Sequence, residues 1–395
     1  MPRDLPGLYW DEGKQRLKLW APAPYIRRPG RNPSYRNRSL LRAKEDARFS
    51  FRTTHKNKLM HQISCFQVAR TSHVASSSIL SLTRCAITAF QAVSYNNNVH
   101  SFAGDTGGWF YSSVIGRDEP KFSLSSEISS ICISGSRCIA TSFGPESKIL
   151  HFPLNLDSED IRVTRVNNRS VRDIWTADFQ GTRLVLGTND QAVVIDDAAD
   201  RATVCFMKTG SDVFAVAQDN NIIYTGSRAG IVQRFDSRIA STKGDRIFND
   251  PSTTQNNSVT NLKIFYDWQL LTSNIDGSLA MFDLRFPSNR TPIMSFTGNI
   301  NTYTTKTPIA VDPHEQFLFA AGQDRRIRLW SLRTGGPPLV SPASVFLKPF
   351  EDLVRALQVV EEKEGVLGLW ATSGPALYKY NLGQRMEEES EAMQC

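Results

Sequence analysis

Three stretches of the chain share one pattern: LLTSNIDGSLAMFDLR (270–285), IIYTGSRAGIVQRFDSR (222–238) and FLFAAGQDRRIRLWSLR (317–333). Each reads as an apolar strand, a small residue, a polar turn, a second apolar strand and then an aromatic residue. Short apolar strands joined by tight polar turns are typical of antiparallel sheets. The pattern therefore predicts a repeated β-hairpin.

The same pattern recurs over most of the chain. Alignment on the aromatic position gives seven anchor residues: Ser113, Phe152, Ile195, Phe235, Phe282, Trp330 and Tyr380. Successive anchors are 39 to 50 residues apart, and another short apolar stretch precedes most of the hairpins. Units of three or four short strands at this period are typical of propeller blades. We therefore predict an all-β fold, a seven-bladed β-propeller over residues 61–385.

The charge of the chain is unevenly distributed. The 395 residues carry a net charge of +7. Residues 1–60 hold 15 Lys and Arg against 5 Asp and Glu, whereas the remaining residues hold 31 against 34. Residues 21–60 mix Pro, Arg, Asn and Ser without apolar periodicity, which predicts a flexible, disordered basic linker. Residues 386–395 are expected to form a solvated acidic tail.

Cysteine spacing favours a reducing compartment, and hydropathy predicts neither a signal peptide nor a membrane span. Six cysteines occur without a Cys-x-x-Cys pair, so neither a disulfide framework nor a zinc ribbon is expected. The N-terminus lacks the apolar core of a signal peptide, and no run of 18 apolar residues predicts a membrane span. We expect localisation in the nucleus, the cytoplasm or both.

Motifs for catalysis or metal binding are absent from the sequence. The six histidines have no metal-ligand spacing, and the chain contains no phosphate-binding glycine loop and no nucleophile elbow. We therefore expect a non-catalytic interaction module with no metal and no cofactor.

Period and strand content resemble the WD-repeat family, whose blades usually end in Trp-Asp. The resemblance covers residues 84–382, and the repeats are degenerate. Trp330 is the one tryptophan among the anchors, and Ser331 follows it in place of Asp. The nearest matches to Trp-Asp are Phe-Asp pairs at 235–236 and 282–283.

Two successive blades end in aromatic-Asp-x-Arg, as FDSR (235–238) and FDLR (282–285). In such a strand the anchor packs between blades, and the arginine beyond the strand end projects toward one flat face. The motif resembles the Trp-Asp-x-Arg receptor motif of WD-repeat proteins that dock on the large damaged-DNA-binding adaptor of cullin-4 ubiquitin ligases. The resemblance implies that Arg238 and Arg285 contact the adaptor. It also implies that Asp236 and Asp283 support the loop.

A second resemblance is more specific. LPGLYWD (5–11), followed by basic and apolar residues, is similar to the Pro-Gly-Phe-Tyr-Tyr-Asp opening of one subfamily, the cullin-4-associated factors numbered four. Residues 247–333 resemble the same subfamily, most clearly at Asn301-Thr302-Tyr303 and in the hairpin that ends at Trp330. Within residues 1–20 we predict a small hairpin with Gly13 in its turn.

These resemblances imply a substrate receptor of a cullin-4 RING ubiquitin ligase, which holds an unknown target protein. Two alternatives stay open. In the first, the propeller is a general nuclear scaffold without a ligase. In the second, the basic arm binds nucleic acid; this alternative is the weaker one, because no stacking aromatic pattern accompanies the basic residues of the arm.

A propeller needs a closed ring, because an open edge strand pairs with other chains. We expect an early segment, HQISCFQVA (61–69) or ILSLT (79–83), to supply the outer strand of the last blade.

Overall fold

Antiparallel strands account for most of the chain that the structure, a computed structural model, describes. The described residues are 8–11, 16–19, 58–68, 74–79, 84–96, 98–113, 122–154, 161–166, 171–196, 203–239, 243–248, 257–289, 291–302, 304–339, 345–362 and 366–384. The chain divides into two compact units, Met1–Met60 and His61–Cys395.

The described residues of the first unit include one hairpin. Strand β1, Leu8–Asp11, pairs antiparallel with β2, Arg16–Leu19, and Leu8 lies opposite Leu19. The segment between them, including Gly13, lies outside the described residues. Of the predicted basic linker, 21–60, residues 21–57 lie outside them as well, and residues 58–60 are helical. Residues 58–68 form α1, the one α-helix in the described part of the chain.

In the second unit the described strands form seven antiparallel sheets, and each sheet is one blade. Blade 1 consists of β4 Ile87–Tyr95, β5 Asn98–Asp105, β6 Trp109–Ser112 and β7 Phe122–Ser123. Blade 2 consists of β8 Ile128–Ser134, β9 Arg137–Ser142, β10 Lys148–Pro153 and β11 Arg162–Arg165. Blade 3 consists of β12 Thr176–Gln180, β13 Arg183–Gly187, β14 Gln191–Asp196 and β15 Thr203–Lys208. Blades 4 and 5 consist of β16 Val213–Asp219, β17 Ile222–Ser227, β18 Val232–Asp236, β19 Asp245–Ile247; and β20 Val259–Phe265, β21 Gln269–Asn274, β22 Leu279–Asp283, β23 Met294–Phe296. Blades 6 and 7 consist of β24 Ile309–Val311, β25 Phe317–Ala321, β26 Ile327–Ser331; and β27 Val354–Glu361, β28 Val366–Ser373, β29 Ala376–Gln384 with β3 Val74–Ile79. A 3-10 turn lies at Val345–Leu347. The predicted seven-bladed propeller is therefore confirmed.

The innermost strands enclose the centre of the ring. Contacts run from β27 to β4 and on through β8, β12, β16 and β20, and β24 contacts β27. Blades 5 and 6 are joined by the Asn261 amide, which donates to the Thr307 carbonyl at 2.9 Å. The ring is therefore closed at every seam.

The core consists of apolar layers between neighbouring blades, one at each of the seven seams. A blade is covered on both faces, so its strands turn apolar side chains to either side. Between blades 1 and 2, for example, Phe102, Phe110 and Phe152 pack with ring centroids 5.7 to 6.0 Å apart. Burial of the chain's apolar surface thus depends on each blade having both neighbours.

Strand β3 closes the ring, and it is neither of the two segments expected from the sequence. It pairs antiparallel with β29, with Ile79 opposite Ala376 and Val74 opposite Tyr380. Residues 61–68 are helical instead. Of the second expected segment, Ile79 is in β3, and residues 80–83 lie outside the described residues. The expectation for 61–69 was wrong because His61, Cys65 and Val68 recur at the helical spacing of one face.

A reciprocal amide contact joins the last blade to the first. The Gln358 side chain accepts from the Ala92 N–H at 2.6 Å and donates to the Ala92 carbonyl at 2.8 Å. Gln358→Ala leaves both backbone groups unpaired, so we expect the free energy of unfolding to fall by about 1–3 kcal/mol. Urea unfolding followed by circular dichroism measures this. Asn98→Ala, at an exposed position of β5, is the control and should stay within about 0.5 kcal/mol. Equal midpoints for the two variants would contradict the role of Gln358.

Candidate functional site

The two arginines selected from the sequence follow the third strands of neighbouring blades 4 and 5. Because the strands of a blade alternate in direction, the third strand ends on the face that also carries the turn between the first and second strands. We call this the arginine face, and the other the opposite face. Arg238 and Arg285 therefore lie at equivalent places on one face.

Each arginine is clamped by the aspartate two residues before it. In blade 4, Arg238 donates from Nη2 to Asp236 Oδ2 at 2.6 Å and from Nε to Oδ1 at 2.9 Å. The backbone N–H of Arg238 also donates to Oδ1, at 3.0 Å. Arg285 makes the same contacts with Asp283, at 2.7, 2.9 and 2.9 Å. The sequence predicts that the aspartates support the loop; in the structure they also orient the arginine side chains directly.

The clamp also keeps the two aspartates ionised. Hydrogen bonds from Arg238 lower the pKa of Asp236 to about 2, and hydrogen bonds from Arg285 lower the pKa of Asp283. Both aspartates are therefore ionised throughout the physiological range. The arginine side chains remain 66% and 57% exposed, and exposed ion pairs contribute little to folding stability. Each Arg–Asp pair instead presents a pre-positioned, planar guanidinium group to solvent.

Blade 5 adds an aromatic support that the sequence reasoning missed. The Arg285 guanidinium lies 3.9 Å from the centroid of the Trp268 ring, a cation–π contact. Trp268 is the last residue of the turn between β20 and β21, in which Tyr266 and Asp267 adopt left-handed φ angles of 45° and 60°. The Leu284 N–H donates to the Trp268 carbonyl at 2.8 Å and ties this turn to the arginine loop.

Large apolar side chains directly follow both arginines. Ile239 is 61% exposed and Phe286 is 60% exposed. Exposed apolar groups around oriented arginines are typical of protein-binding surfaces, where arginine and aromatic residues dominate the energetics. We call the set Arg238, Ile239, Trp268, Arg285 and Phe286 the arginine patch.

Blade 6 uses the equivalent position differently. Ser331 stands in the place of the aspartate, and its hydroxyl bonds the His61 ring at 2.8 Å and accepts from the Arg333 N–H at 3.2 Å. The His61 ring also stacks on Phe317, with centroids 6.1 Å apart. His61 thereby fixes the helix to blade 6 at the arginine face.

The blade anchors differ in burial. Trp330 is fully buried and its indole N–H donates to the Thr297 carbonyl at 3.0 Å. Phe235 is also buried, whereas Phe282 is half-buried and stacks on Phe248 with centroids 4.7 Å apart.

Within the described ranges, no group of three His, Cys, Asp or Glu is placed to hold a metal ion. Burial raises the pKa of the Cys132 and Cys138 thiols, which keeps both protonated and unreactive. No helix among the described residues is long and apolar enough to cross a membrane.

Comparison with protein-family models found no match. Among curated proteins, the chain is 31% identical over 131 residues to human DDB1- and CUL4-associated factor 4, which is 31% of this chain and 24% of that protein. It is 30% identical over 130 residues to human DDB1- and CUL4-associated factor 4-like protein 2, covering 32% and 31%. An uncharacterized WD repeat-containing protein of Caenorhabditis elegans is 29% identical over 123 residues, covering 30% and 21%. The match thus spans less than a third of each of these relatives.

Solved structures show the same fold. The β-propeller domain of Myceliophteria thermophila Cps50 (Swd1) superposes with a TM-score of 0.58 at 12% identity, covering 78% of this chain and 98% of that one. The WD40 propeller domain of Doa1 superposes with a TM-score of 0.57 at 13% identity, covering 78% and 96%. The resemblance to the factor-4 subfamily and the WD-repeat propeller are confirmed. Together they point to a non-catalytic protein-interaction module.

Proposed function

We propose that this WD-repeat propeller is the substrate receptor of a cullin-4 RING ubiquitin ligase and docks on the large damaged-DNA-binding adaptor through the arginine patch. One observation carries the proposal: two neighbouring blades present the same aspartate-clamped arginine, each followed by an exposed apolar side chain. The names of the human relatives, which associate their proteins with DDB1 and CUL4, support it. Localisation in the nucleus or the cytoplasm stays a prediction.

The physical advantage of the clamp is pre-organisation. A free arginine loses side-chain entropy when a partner immobilises it. Asp236 and Asp283 hold the two guanidinium groups in place before the partner arrives, and Trp268 supports one of them. The exposed face of each guanidinium can accept a carboxylate or carbonyl of the adaptor, while Ile239 and Phe286 bury apolar area beside it.

The role of the propeller in ubiquitin transfer is then one of proximity. The chain performs no bond chemistry. It holds a target near a ubiquitin-charged enzyme and raises the effective concentration of the target's lysines.

Replacing both arginines tests the docking site. Each arginine is expected to be a binding hot spot worth about 2 kcal/mol, so each single change to Ala should weaken affinity for the purified adaptor by ~30-fold and Arg238→Ala/Arg285→Ala by several hundredfold, on the order of 4 kcal/mol. Biolayer interferometry measures the affinity, and co-purification from cells measures the complex. Arg165→Ala is the matched control, because Arg165 is also exposed and ion-paired, to Glu146 at 2.7 Å.

The outcomes separate the competing functions. A folded double variant that binds the adaptor as tightly as the parent would refute the docking site. If affinity purification of the parent chain recovers other proteins and no adaptor, the propeller is a scaffold without a ligase. Salt-sensitive oligonucleotide binding by residues 1–60 would instead favour the nucleic-acid alternative.

A further inference from the structure

The centre of the ring carries a second surface, on the face opposite the arginine patch. Two adjoining cavities of about 450 and 340 Å³ follow the channel between the innermost strands. The smaller is lined by residues at the N-terminal ends of those strands and in the neighbouring loops. We call it the channel mouth; its lining includes Glu127, Phe143, Trp175, Lys306 and Arg355.

Backbone bulges shape this end of the channel. Five innermost strands shift register at their second residue, which leaves Thr88, Ser129, Phe214, Thr260 and Arg355 unmatched on the partner strand. A bulge bends the strand and re-aims the side chain that it carries. In this way Arg355 reaches the channel mouth.

An aromatic row crosses blades 2, 3 and 4 at the mouth. The ring centroids of Phe143 and Trp175 are 4.7 Å apart, and those of Trp175 and Phe214 are 4.9 Å apart. All three rings are half-buried, so each keeps some exposed surface. The row extends over roughly 10 Å, which is the length of about three residues of extended peptide.

Lys306 lies beside this row. Its ammonium group donates to the Phe214 carbonyl at 3.1 Å, and no carboxylate in the described ranges forms an ion pair with it. The side chain is open to the water of the channel, yet protein surrounds it closely. That desolvation lowers the pKa of Lys306 to about 8. The charged form therefore gains more than a surface lysine from an anionic partner.

We propose that the channel mouth binds an acidic peptide of a partner protein, with a carboxylate or phosphate on Lys306 and Arg355 and a neighbouring apolar side chain on the aromatic row. That this peptide belongs to the ubiquitination target rests on the proposed function. The channel mouth and the arginine patch are different sites, so the two can fail separately.

Charge decides between the candidate ligands. Aromatic rings alone also attract cations, as in methyl-lysine cages, but Lys306 and Arg355 repel a cation here. Single-stranded nucleic acids bind along extended basic grooves with stacking platforms. The mouth has two cations and the carboxylate of Glu127, which suits one anionic group and not a continuous phosphate backbone.

Fluorescein-labelled peptides test the proposal by anisotropy with the full chain. The probes have the sequence Gly-Ser-Gly-Phe-Xaa-Phe-Gly-Ser-Gly, in which Xaa is Glu, phosphoserine, Gln or Lys. At least one of the two acidic peptides, Glu or phosphoserine, should bind ~10- to 100-fold more tightly than the Gln peptide, because its anionic group adds hydrogen bonds between charged groups. The Lys peptide should bind most weakly. The tighter of the two acidic probes identifies the preferred anion.

Substitutions locate the site. Lys306→Met should reduce the advantage of the acidic peptide over the Gln peptide to about threefold or less. Lys208→Met removes an exposed lysine from the outer strand of blade 3 and should change nothing. Trp175→Ala should weaken all four peptides by ~10-fold, because the stacking of a peptide phenylalanine on this ring is lost. The variants' melting temperatures report whether they remain folded.

Proton binding gives a second readout. The charged residues that line the two cavities with Lys306 are Glu127, Lys263, Asp312, Glu315 and Arg355. Cys132 also interacts electrostatically with Lys306, and Asp178 with Lys263. The ammonium form binds the anion and is lost above pH 8, so the advantage of the acidic peptide should fall about tenfold from pH 7 to pH 9. Lys306→Arg should keep that advantage at pH 9, because arginine does not titrate there.

Several results would overturn the proposal. Equal affinities for the Glu, phosphoserine and Gln peptides would do so, as would an unchanged advantage in folded Lys306→Met. So would the absence of any peptide binding up to about 1 mM, or tighter binding of a labelled ten-residue oligothymidine at the same mouth. Arg238→Ala/Arg285→Ala should bind the acidic peptide like the parent, which distinguishes failure here from failure of the adaptor site.

Discussion

Trp330→Ala is expected to lower the free energy of unfolding by about 3–5 kcal/mol, a large fraction of the stability of a typical protein. The side chain is fully buried in the layer between blades 5 and 6, where it packs with Phe265, Leu318 and neighbouring apolar residues. Alanine leaves a cavity and removes the indole donor of the Thr297 carbonyl. Urea unfolding followed by circular dichroism measures the change.

Two further variants interpret that result. Trp330→Phe keeps most of the ring volume and loses the hydrogen bond, so we expect a smaller loss of about 1–2 kcal/mol. Trp268→Ala removes a half-buried tryptophan at the surface and should cost about 1 kcal/mol or less. If Trp330→Ala unfolds at the same urea concentration as Trp268→Ala, the blade seam is not the tightly packed layer that the structure describes.

Loss of β3 should have the second large effect, because it opens the ring. A chain that begins at residue 84 leaves β29 as an edge, with five residues that no longer pair with Ile79, Ser78, Ser77, Ser76 and Val74. At about 1 kcal/mol for each net hydrogen bond, the loss is on the order of 5 kcal/mol. The exposed edge also pairs with other chains, so we expect aggregation.

A chain that begins at residue 70 is the matched comparison. It lacks α1 but keeps β3, so the difference between the two truncations isolates the closing strand from the helix. We expect the longer chain to elute as a monomer in size-exclusion chromatography and to melt at a clearly higher temperature. Equal melting temperatures and equal elution would contradict closure by β3.

Local pattern was sufficient to predict the blades. A blade is a meander of antiparallel hairpins, so the residues that pair are near in sequence, as Ile223 is to Phe235 and Leu270 to Phe282. The two arginines could be selected for the same reason, because each follows its anchor by three residues. The number of blades then followed from the period.

Contacts between blades could not be predicted in this way. Trp268 supports Arg285 only because the register of blade 5 brings the turn after β20 to the loop after β22. The channel mouth joins Trp175 and Lys306, which are far apart in the chain and carry no shared motif. Ring closure depends on β3 meeting β29 across almost the full length of the propeller.

The sequence by itself therefore determined the all-β repeat, the seven blades and the position of two exposed arginines, because alternation of apolar and polar residues encodes each hairpin locally. Only the tertiary structure decided which segment closes the ring, how Asp236 and Asp283 clamp the arginines, and which residues surround the channel. Those features arise from the packing of neighbouring blades around one axis, and no period along the chain records which distant side chains that packing brings together.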